Sequence, residues 1–489
     1  MTPGDAECRW WQTGCMRAIR TGAVVAALAV SAALTLAACS GDRSPAAGPS
    51  AGGPSAGGSS PASTGASGSP AGAAAQWPMY HGTPDRAGVS AAMPPAAGAP
   101  RRVRSLRLDG AVYASPIVVG GLTIVATEND TVYAFDQFYA QVWRRSLGKP
   151  SPSEERQCGD IDPLGITGTP VYDASTDKVY LVAEHGGAVR HELYALDPRT
   201  GSVAWSKSVD LPGVSARDMQ QRGALAVAGG KVWVSYGAQA GDCGDYKGRV
   251  VGVPLDGGDG VVFYSPPTER GGGIWNPNGP TVTADGHLLV VSANGAGFPG
   301  DAYDHTNTVL ELDASARLVD SFAPEDWARN NQGDVGLGSQ GVALIGDTWA
   351  VLGGKSGPVY VLRQGHLGGI DGQVDVRNVC RSFGGAAVSG SVVYLPCTDG
   401  VRAVRVDDAG KLHVLWHADQ AITGSPVIGG GRVWVLDTRG GVLHGLDPNS
   451  GKSLGQVDVG EANRFSTPAI AGADVIVGTL TGIAVVRTS

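Results

Sequence analysis

From Trp77 onward the chain alternates short apolar runs with glycine turns and polar corners, and the same order of parts keeps returning. "TGSPVIGGGRVWVLDTRGGVLHGLD" (Thr423 to Asp447) is the cleanest copy. It has a small-residue and proline start, a β-branched run, a Gly turn, a second apolar run, a polar corner and a third run. Within it Val433, Trp434, Val435 and Leu436 suit a strand packed on both faces. The unit recurs at Tyr113 to Asp136 and Thr167 to Asp197, and weaker copies start near Arg222, Asn278, Gly338, Phe383 and Ser466. That makes eight units, with starts some 40 to 60 residues apart. Such spacing predicts four-stranded propeller blades, not sandwich strands or helical repeats.

Strand order also predicts how the ring closes. The eighth unit supplies three strands, while "RRVRSLRLDG" (Arg101 to Gly110) stands before the first unit with no blade of its own. The expected fold is therefore all-β: an eight-bladed β-propeller of four-stranded antiparallel blades, closed by pairing the N-terminal strand with the last blade. Closure of this kind leaves no open sheet edge.

The corner after the third run has its own chemistry. In Asp197-Pro198-Arg199-Thr200-Gly201 the Asp can accept local backbone N–H groups, Pro presets φ, and Gly takes the left-handed conformation. Asp447 to Gly451 repeats it. Trp205, with Trp143 and Trp416 at comparable places, is expected near the start of the outer strand, where it can pack across to a neighbouring blade.

The pattern Ala195-x-Asp197-x-x-Thr200-Gly201-x-x-x-Trp205 resembles the PQQ-like β-propeller repeat of quinoprotein dehydrogenases and BamB-type lipoproteins. "WPMYHGTPDRAGVS" (Trp77 to Ser90) is similar to the segment that often precedes the first blade in such proteins. The resemblance covers Trp77 to Ser489. Only the second unit carries the full motif: the first is one residue short between Asp136 and Trp143, and the seventh ends in Gly455.

Composition supports the all-β expectation. Glycine makes up 75 of 489 residues and charged residues only 17%, which favours many tight turns over long solvated helices. The formal charge of -8, with no dense Lys/Arg cluster, argues against a nucleic-acid partner. Ala23 to Ala38 is apolar and uncharged, preceded by Arg17 and Arg20, which is a signal-peptide layout. Leu36-Ala37-Ala38-Cys39 resembles the bacterial lipobox, so residues 1–38 are expected to be removed and Cys39 to carry the lipid. Met16 stands immediately before Arg17 and offers a second start site. Residues 39–75 are expected to form a disordered Gly/Ser/Pro/Ala tether with too little to bury, and residues 76–489 the propeller. The expected location is the outer side of the bacterial cell membrane, as a monomer.

Cys8 and Cys15 fall in the leader and Cys39 takes lipid, which leaves Cys158, Cys243, Cys380 and Cys397. An even remainder outside the cytoplasm predicts two disulfides. Propeller topology pairs Cys380 with Cys397 around the start of the sixth unit, and Cys158 with Cys243 on adjacent blades.

Signals for chemistry are few. The longer insertions, such as "GKPSPSEERQCGDIDPLG" and "ANGAGFPGDAYDHTNT", all fall on one face of the expected ring, which makes that face the candidate binding surface. Trp275, Asp301, Tyr303, Asp304 and His305 are the residues expected on it, with Phe298 as a further aromatic. Asp301, Asp304, His305 and Asn307 match no calcium loop, and a solvated loop is the expectation. Glu184-His185 and His191-Glu192 face each other across a hairpin, and are read as a charged tip in preference to a metal site. Gly354-Lys355-Ser356 and Gly451-Lys452-Ser453 lack the glycine a phosphate loop requires. No catalytic residue and no metal ligand is assigned.

Two functions of different class follow. The first is a non-catalytic binding or scaffolding propeller, membrane-anchored by lipid, that takes a protein or cell-envelope ligand on the loop-rich face without a cofactor. The alternative is a quinoprotein oxidoreductase using PQQ and Ca²⁺ on an alcohol or sugar. Against it, the chain has no Cys-Cys dipeptide and no Glu, Asn and Asp set that maps onto the family's calcium site.

Overall fold

The computed structural model describes residues 76–488. The expected signal peptide, Cys39 and the tether to residue 75 lie outside the described residues. Eight antiparallel sheets form the blades of a propeller. Their innermost strands are Ile117–Val119, Val171–Asp173, Ala226–Ala228, Thr281–Val282, Ala343–Ile345, Ala387–Ser389, Val427–Gly429 and Ala469–Ala471. Within a blade the chain steps outward in order, as in blade 1 through Leu122–Thr127, Thr131–Phe135 and Gln141–Ser146. Middle strands are apolar on both faces because both pack against neighbouring blades, and Thr131–Phe135 is buried throughout. The outer strands Gln141–Ser146, Val203–Ser208 and Ser453–Asp458 keep most of their residues in solvent.

The ring closes through Pro100–Arg107, which runs antiparallel to Gly482–Thr488 with Pro100 opposite Thr488 and Arg107 opposite Gly482. Three short pieces add to the four-stranded plan. Met219–Gln220 extends blade 3, Val89–Ser90 lies parallel to Val427–Gly429 inside blade 7, and Gly369–Ile370 runs parallel to the outer strand of blade 4. The last of these covers an edge that would otherwise be open.

The expected polar corner joins neighbouring blades. Asp197 Oδ1 accepts from the backbone N–H groups of Arg199 and Thr200 at 2.9 and 3.0 Å and from Thr200 Oγ1 at 3.1 Å. This holds Gly201 at φ +66, against which the Trp143 ring of blade 1 lies so close that a Cβ would sit 2.5 Å from it. Trp143 Nε1 then donates to the Pro198 carbonyl at 3.0 Å. Trp416 does the same to Pro448 at 3.0 Å over Gly451, and Trp205 covers Gly257. In each case a blade's outer tryptophan seals the corner of the next blade.

The segment that precedes the first blade fills the hub. Trp77 exchanges two 2.9 Å backbone hydrogen bonds with Val118 of blade 1, and the Pro78 carbonyl accepts from Tyr172 of blade 2 at 2.8 Å. The carbonyls of Pro84, Ala87 and Gly88 accept from Val282, Val388 and Ile428 of blades 4, 6 and 7. Arg86 is fully buried, and its guanidinium donates to the carbonyls of Tyr80, Leu225 and Pro280 at 3.1, 2.9 and 3.2 Å. Burial lowers its pKa to about 10, so it stays charged at neutral pH. Among the described residues no helix is long and apolar enough to cross a membrane.

Candidate functional site

Strand order gives the ring two faces. Links entering each blade, and turns between second and third strands, emerge on one; the remaining turns emerge on the other. Most of the longer insertions lie on the first, including the link that carries the helix Trp327–Gly333, while residues 364–374 of blade 5, between its third and fourth strands, emerge on the other. Both disulfides lie there too. Cys158 and Cys243 are bonded with Cα atoms 6.1 Å apart, and Cys380 and Cys397 with Cα atoms 5.7 Å apart.

At the centre of this face Tyr80 of the hub segment lines a narrow mouth together with Tyr113, Thr167, Arg222, Asn463 and Phe465. The cavity volume is ≈ 10 Å³, room for about one water molecule. Hydroxyls line it because Ser115, Thr169, Ser425 and Thr467 stand just before the inner strands of blades 1, 2, 7 and 8, where they can tie neighbouring blades together. Thr169 Oγ1 accepts from Ser115 N at 2.9 Å, and Ser425 Oγ from Gly385 N at 3.0 Å. Burial, followed by the Glu128 charge, pushes Tyr113 up to about 12.

Around the mouth, cations lie over aromatic rings. The Arg222 guanidinium is 5.1 Å from the Phe465 centroid, and that of Arg464 is 4.5 Å from Phe383 and 5.4 Å from Phe465. Lys355 stands 5.7 Å over Trp275, whose ring meets Phe465 edge-on at 6.1 Å. Asp160 approaches Arg222 at 3.7 Å, and Lys355 donates to Asp334 at 2.6 Å. Although Arg464 reaches solvent, desolvation of its guanidinium against these rings lowers its pKa, and the Arg222 charge lowers it further.

Of the residues expected on the binding face, the structure brings Trp275 to this mouth. Asp301, Tyr303, Asp304 and His305 sit together in the loop between the second and third strands of blade 4, each with partners of its own. Asp301 accepts from Phe298 N at 2.8 Å, and Asp304 from Thr306 Oγ1 at 2.6 Å. Tyr303 packs edge-on to Trp327 at 5.3 Å, and the Tyr264 hydroxyl meets His305 Nδ1 at 2.6 Å. Phe298 beside them is exposed. Arg222, Phe383, Arg464 and Phe465 went unremarked as site residues in the sequence. The available signal was their common place, four or five residues before an inner strand.

The His and Glu hairpin of blade 2 differs from a solvated tip. Glu184, His185 and His191 are buried, because the insertion before blade 2 folds over them. Gly186 N donates to the Lys149 carbonyl at 3.1 Å, and Gly187 N to Glu155 Oε2 at 2.7 Å. His185 sits between Asp130 and the Tyr194 hydroxyl, at 2.8 Å from each. His191 sits between Asp210 at 2.7 Å and Glu184 at 3.2 Å. Burial opposes charge on His191, but its two carboxylate partners outweigh that and raise its pKa to about 9. Burial raises Glu128, which accepts from Gly165 N at 2.8 Å beneath the same insertion, to about 8.

Asp285, His287 and Glu311 offer ligand atoms within 4.8 Å of one another, on the opposite face. His287 Nδ1 already contacts Glu311 Oε1 at 2.7 Å, an ion pair that accounts for the grouping. The mouth above the hub segment has a cavity of only ≈ 10 Å³, small for a tricyclic cofactor. No strong site for PQQ and Ca²⁺ is evident among the described residues.

Comparison with known proteins agrees with this architecture. The family described as "Outer membrane protein assembly factor BamB" matches residues 101–315. The structure is similar to quinohemoprotein alcohol dehydrogenase from Comamonas testosteroni, with TM-score 0.62 and 15% identity over 84% of this chain and 80% of that one. It is also similar to BamB from Moraxella catarrhalis, with TM-score 0.54 and 16% identity over 79% and 99%. The computationally designed Ika8 protein gives TM-score 0.50 and 13% identity over 80% and 100%. No curated protein matches the chain in sequence. The chain has the fold of the PQQ-like, BamB-type β-propellers.

Proposed function

We propose that this protein is an extracytoplasmic lipoprotein, anchored through Cys39 and held off the membrane by residues 39–75, whose propeller is a non-catalytic binding module. Its ligand is a protein of the cell envelope, docked on the loop-rich face. The observation that carries this reading is the filled hub: Trp77 to Ser90 occupies the space where a propeller could hold a cofactor, and the mouth above it has a cavity of only ≈ 10 Å³. Large loops braced by two disulfides present a fixed surface instead, and rigid loops bind at lower entropic cost. The BamB family's description as an assembly factor supports a protein partner; envelope assembly at an outer membrane applies only in a host that has one.

Photo-crosslinking residues placed at Phe298 on the loop-rich face and at Asp285 on the opposite face test the reading in cells. Adducts with a defined envelope protein from position 298, and none from 285, are expected. Equal labelling from both, or none from 298, would overturn it. Addition of PQQ and Ca²⁺ to the purified chain should give neither tight binding nor dye-linked oxidation of an alcohol or sugar. Mass spectrometry of the mature N-terminus should find acylated Cys39.

A further inference from the structure

The mouth combines features that solvent alone does not require. In a chain of formal charge -8, Arg222, Arg464 and Lys355 converge on one rim, each over an aromatic face. The two arginines share the Phe465 ring at 5.1 and 5.4 Å. Asp160 lies 3.7 Å from Arg222 and Asp334 2.6 Å from Lys355, and an anion between the two arginines would offset the Arg222 charge that lowers the pKa of Arg464. Guanidinium planes are suited to carboxylates, which they can grip by two parallel N–H bonds. The rings beside them offer apolar area and the arginine-with-aromatic composition typical of strong protein contact points. With only ≈ 10 Å³ beneath it, the mouth cannot enclose a sugar ring or a quinone. What fits is a chain laid across the surface, dropping one small group at a time between the planes. Three cations are too few for a nucleic-acid track.

Resting on the binding reading above, we infer that the channel mouth docks an acidic, extended segment of a partner protein, with a carboxylate between Arg222 and Arg464 and an apolar side chain against Phe465 and Trp275. Asp160 and Asp334 hold Arg222 and Lys355 in place and are the groups a ligand carboxylate competes with. Since Asp160 lies two residues beyond Cys158, the Cys158–Cys243 disulfide positions this rim.

The test uses the full chain and a fluorescein-labelled synthetic peptide alternating glutamate with leucine and phenylalanine, followed by fluorescence anisotropy. Binding is expected, with affinity falling about tenfold or more between about 50 mM and about 500 mM salt. Arg464→Glu should weaken it by about tenfold. Arg464 is exposed, so that variant should fold as the parent does, and Arg464→Lys, which keeps the charge without the planar fork, should restore part of the affinity. A lysine counterpart of the peptide should not bind. Absence of peptide binding, or unchanged affinity in Arg464→Glu, would overturn the assignment. Displacement by an oligogalacturonate of equal charge would overturn it in favour of an acidic glycan. A position-298 crosslink that persists in Arg464→Glu would remove the mouth from the interface while leaving the binding function intact, so the two readings fail separately.

Discussion

Arg86 Nη2 lies 2.9 Å from the Leu225 carbonyl, a contact that spans 139 residues and joins the hub segment to blade 3. The same guanidinium also satisfies the Tyr80 and Pro280 carbonyls, so one side chain holds the hub segment to itself and to blades 3 and 4. Among the described residues no carboxylate forms an ion pair with it; the three carbonyls, the Tyr80 ring 6.0 Å away and the charge of Asp85 support its own charge.

Replacing Arg86 with leucine removes all three contacts and leaves buried carbonyls without donors, at about 1–3 kcal/mol each. Loss of the buried charge offsets part of this, and a net destabilisation of about 3 kcal/mol is expected. Urea unfolding of Arg86→Leu should show the lowered midpoint. A midpoint equal to the parent's would mean that the hub segment adds nothing to ring stability.

Gly201 and Gly120 separate backbone strain from crowding. Both have positive φ, +66 and +56, but only Gly201 has a tryptophan ring 2.5 Å from where a Cβ would be. Gly120→Ala should cost about 1 kcal/mol through the left-handed backbone alone. Gly201→Ala should cost about 1–3 kcal/mol more by displacing Trp143. If thermal melts give equal losses, the tryptophan seal is not a stabilising contact.

Stability should fall as pH rises through neutrality. Glu128 is raised from 4.5 to about 8, so in that interval the folded chain holds a proton that the unfolded chain has released. Its contribution is full below about 4.5 and is lost as pH passes 8. His191, raised from 6.5 to about 9, has the same sign and is lost through about 9. Melting temperature should therefore drop between about pH 4.5 and about pH 9. Glu128→Gln should flatten the part below pH 8 and exceed the parent above it. An unchanged slope in that variant would assign the effect elsewhere.

The disulfides should contribute unequally. Chain entropy assigns about 4–5 kcal/mol to the 85-residue Cys158–Cys243 separation and about 3 kcal/mol to the 17-residue Cys380–Cys397 separation, as upper values. Paired serine variants should melt lower in that order. The Cys158/Cys243 pair should also weaken peptide binding at the mouth, and the Cys380/Cys397 pair should do so less, because only the former carries the loop bearing Asp160.

What could be read along the chain is what neighbouring residues decide together. Alternation in runs such as Val433 to Leu436 gave the strands, the Asp197 corner its turn, and the count of strands forced Arg101 onward to complete the blade that ends near Thr488. The cysteine pairs followed from order around a ring whose topology was already set. Hidden from the sequence was everything assembled from distant links. Trp77 to Ser90 carries no strand pattern long enough to announce itself, and only a ring of inner strands with unspent backbone donors draws it into the hub. Glu184, His185 and His191 look like a solvated tip until the insertion of the preceding link folds over them, and His191, held between two carboxylates, has its pKa raised. Arg222, Phe383 and Arg464 are ordinary loop residues in one dimension. They become a site because eight radial blades bring the same position of each link to a common centre, where charge and aromatic area add.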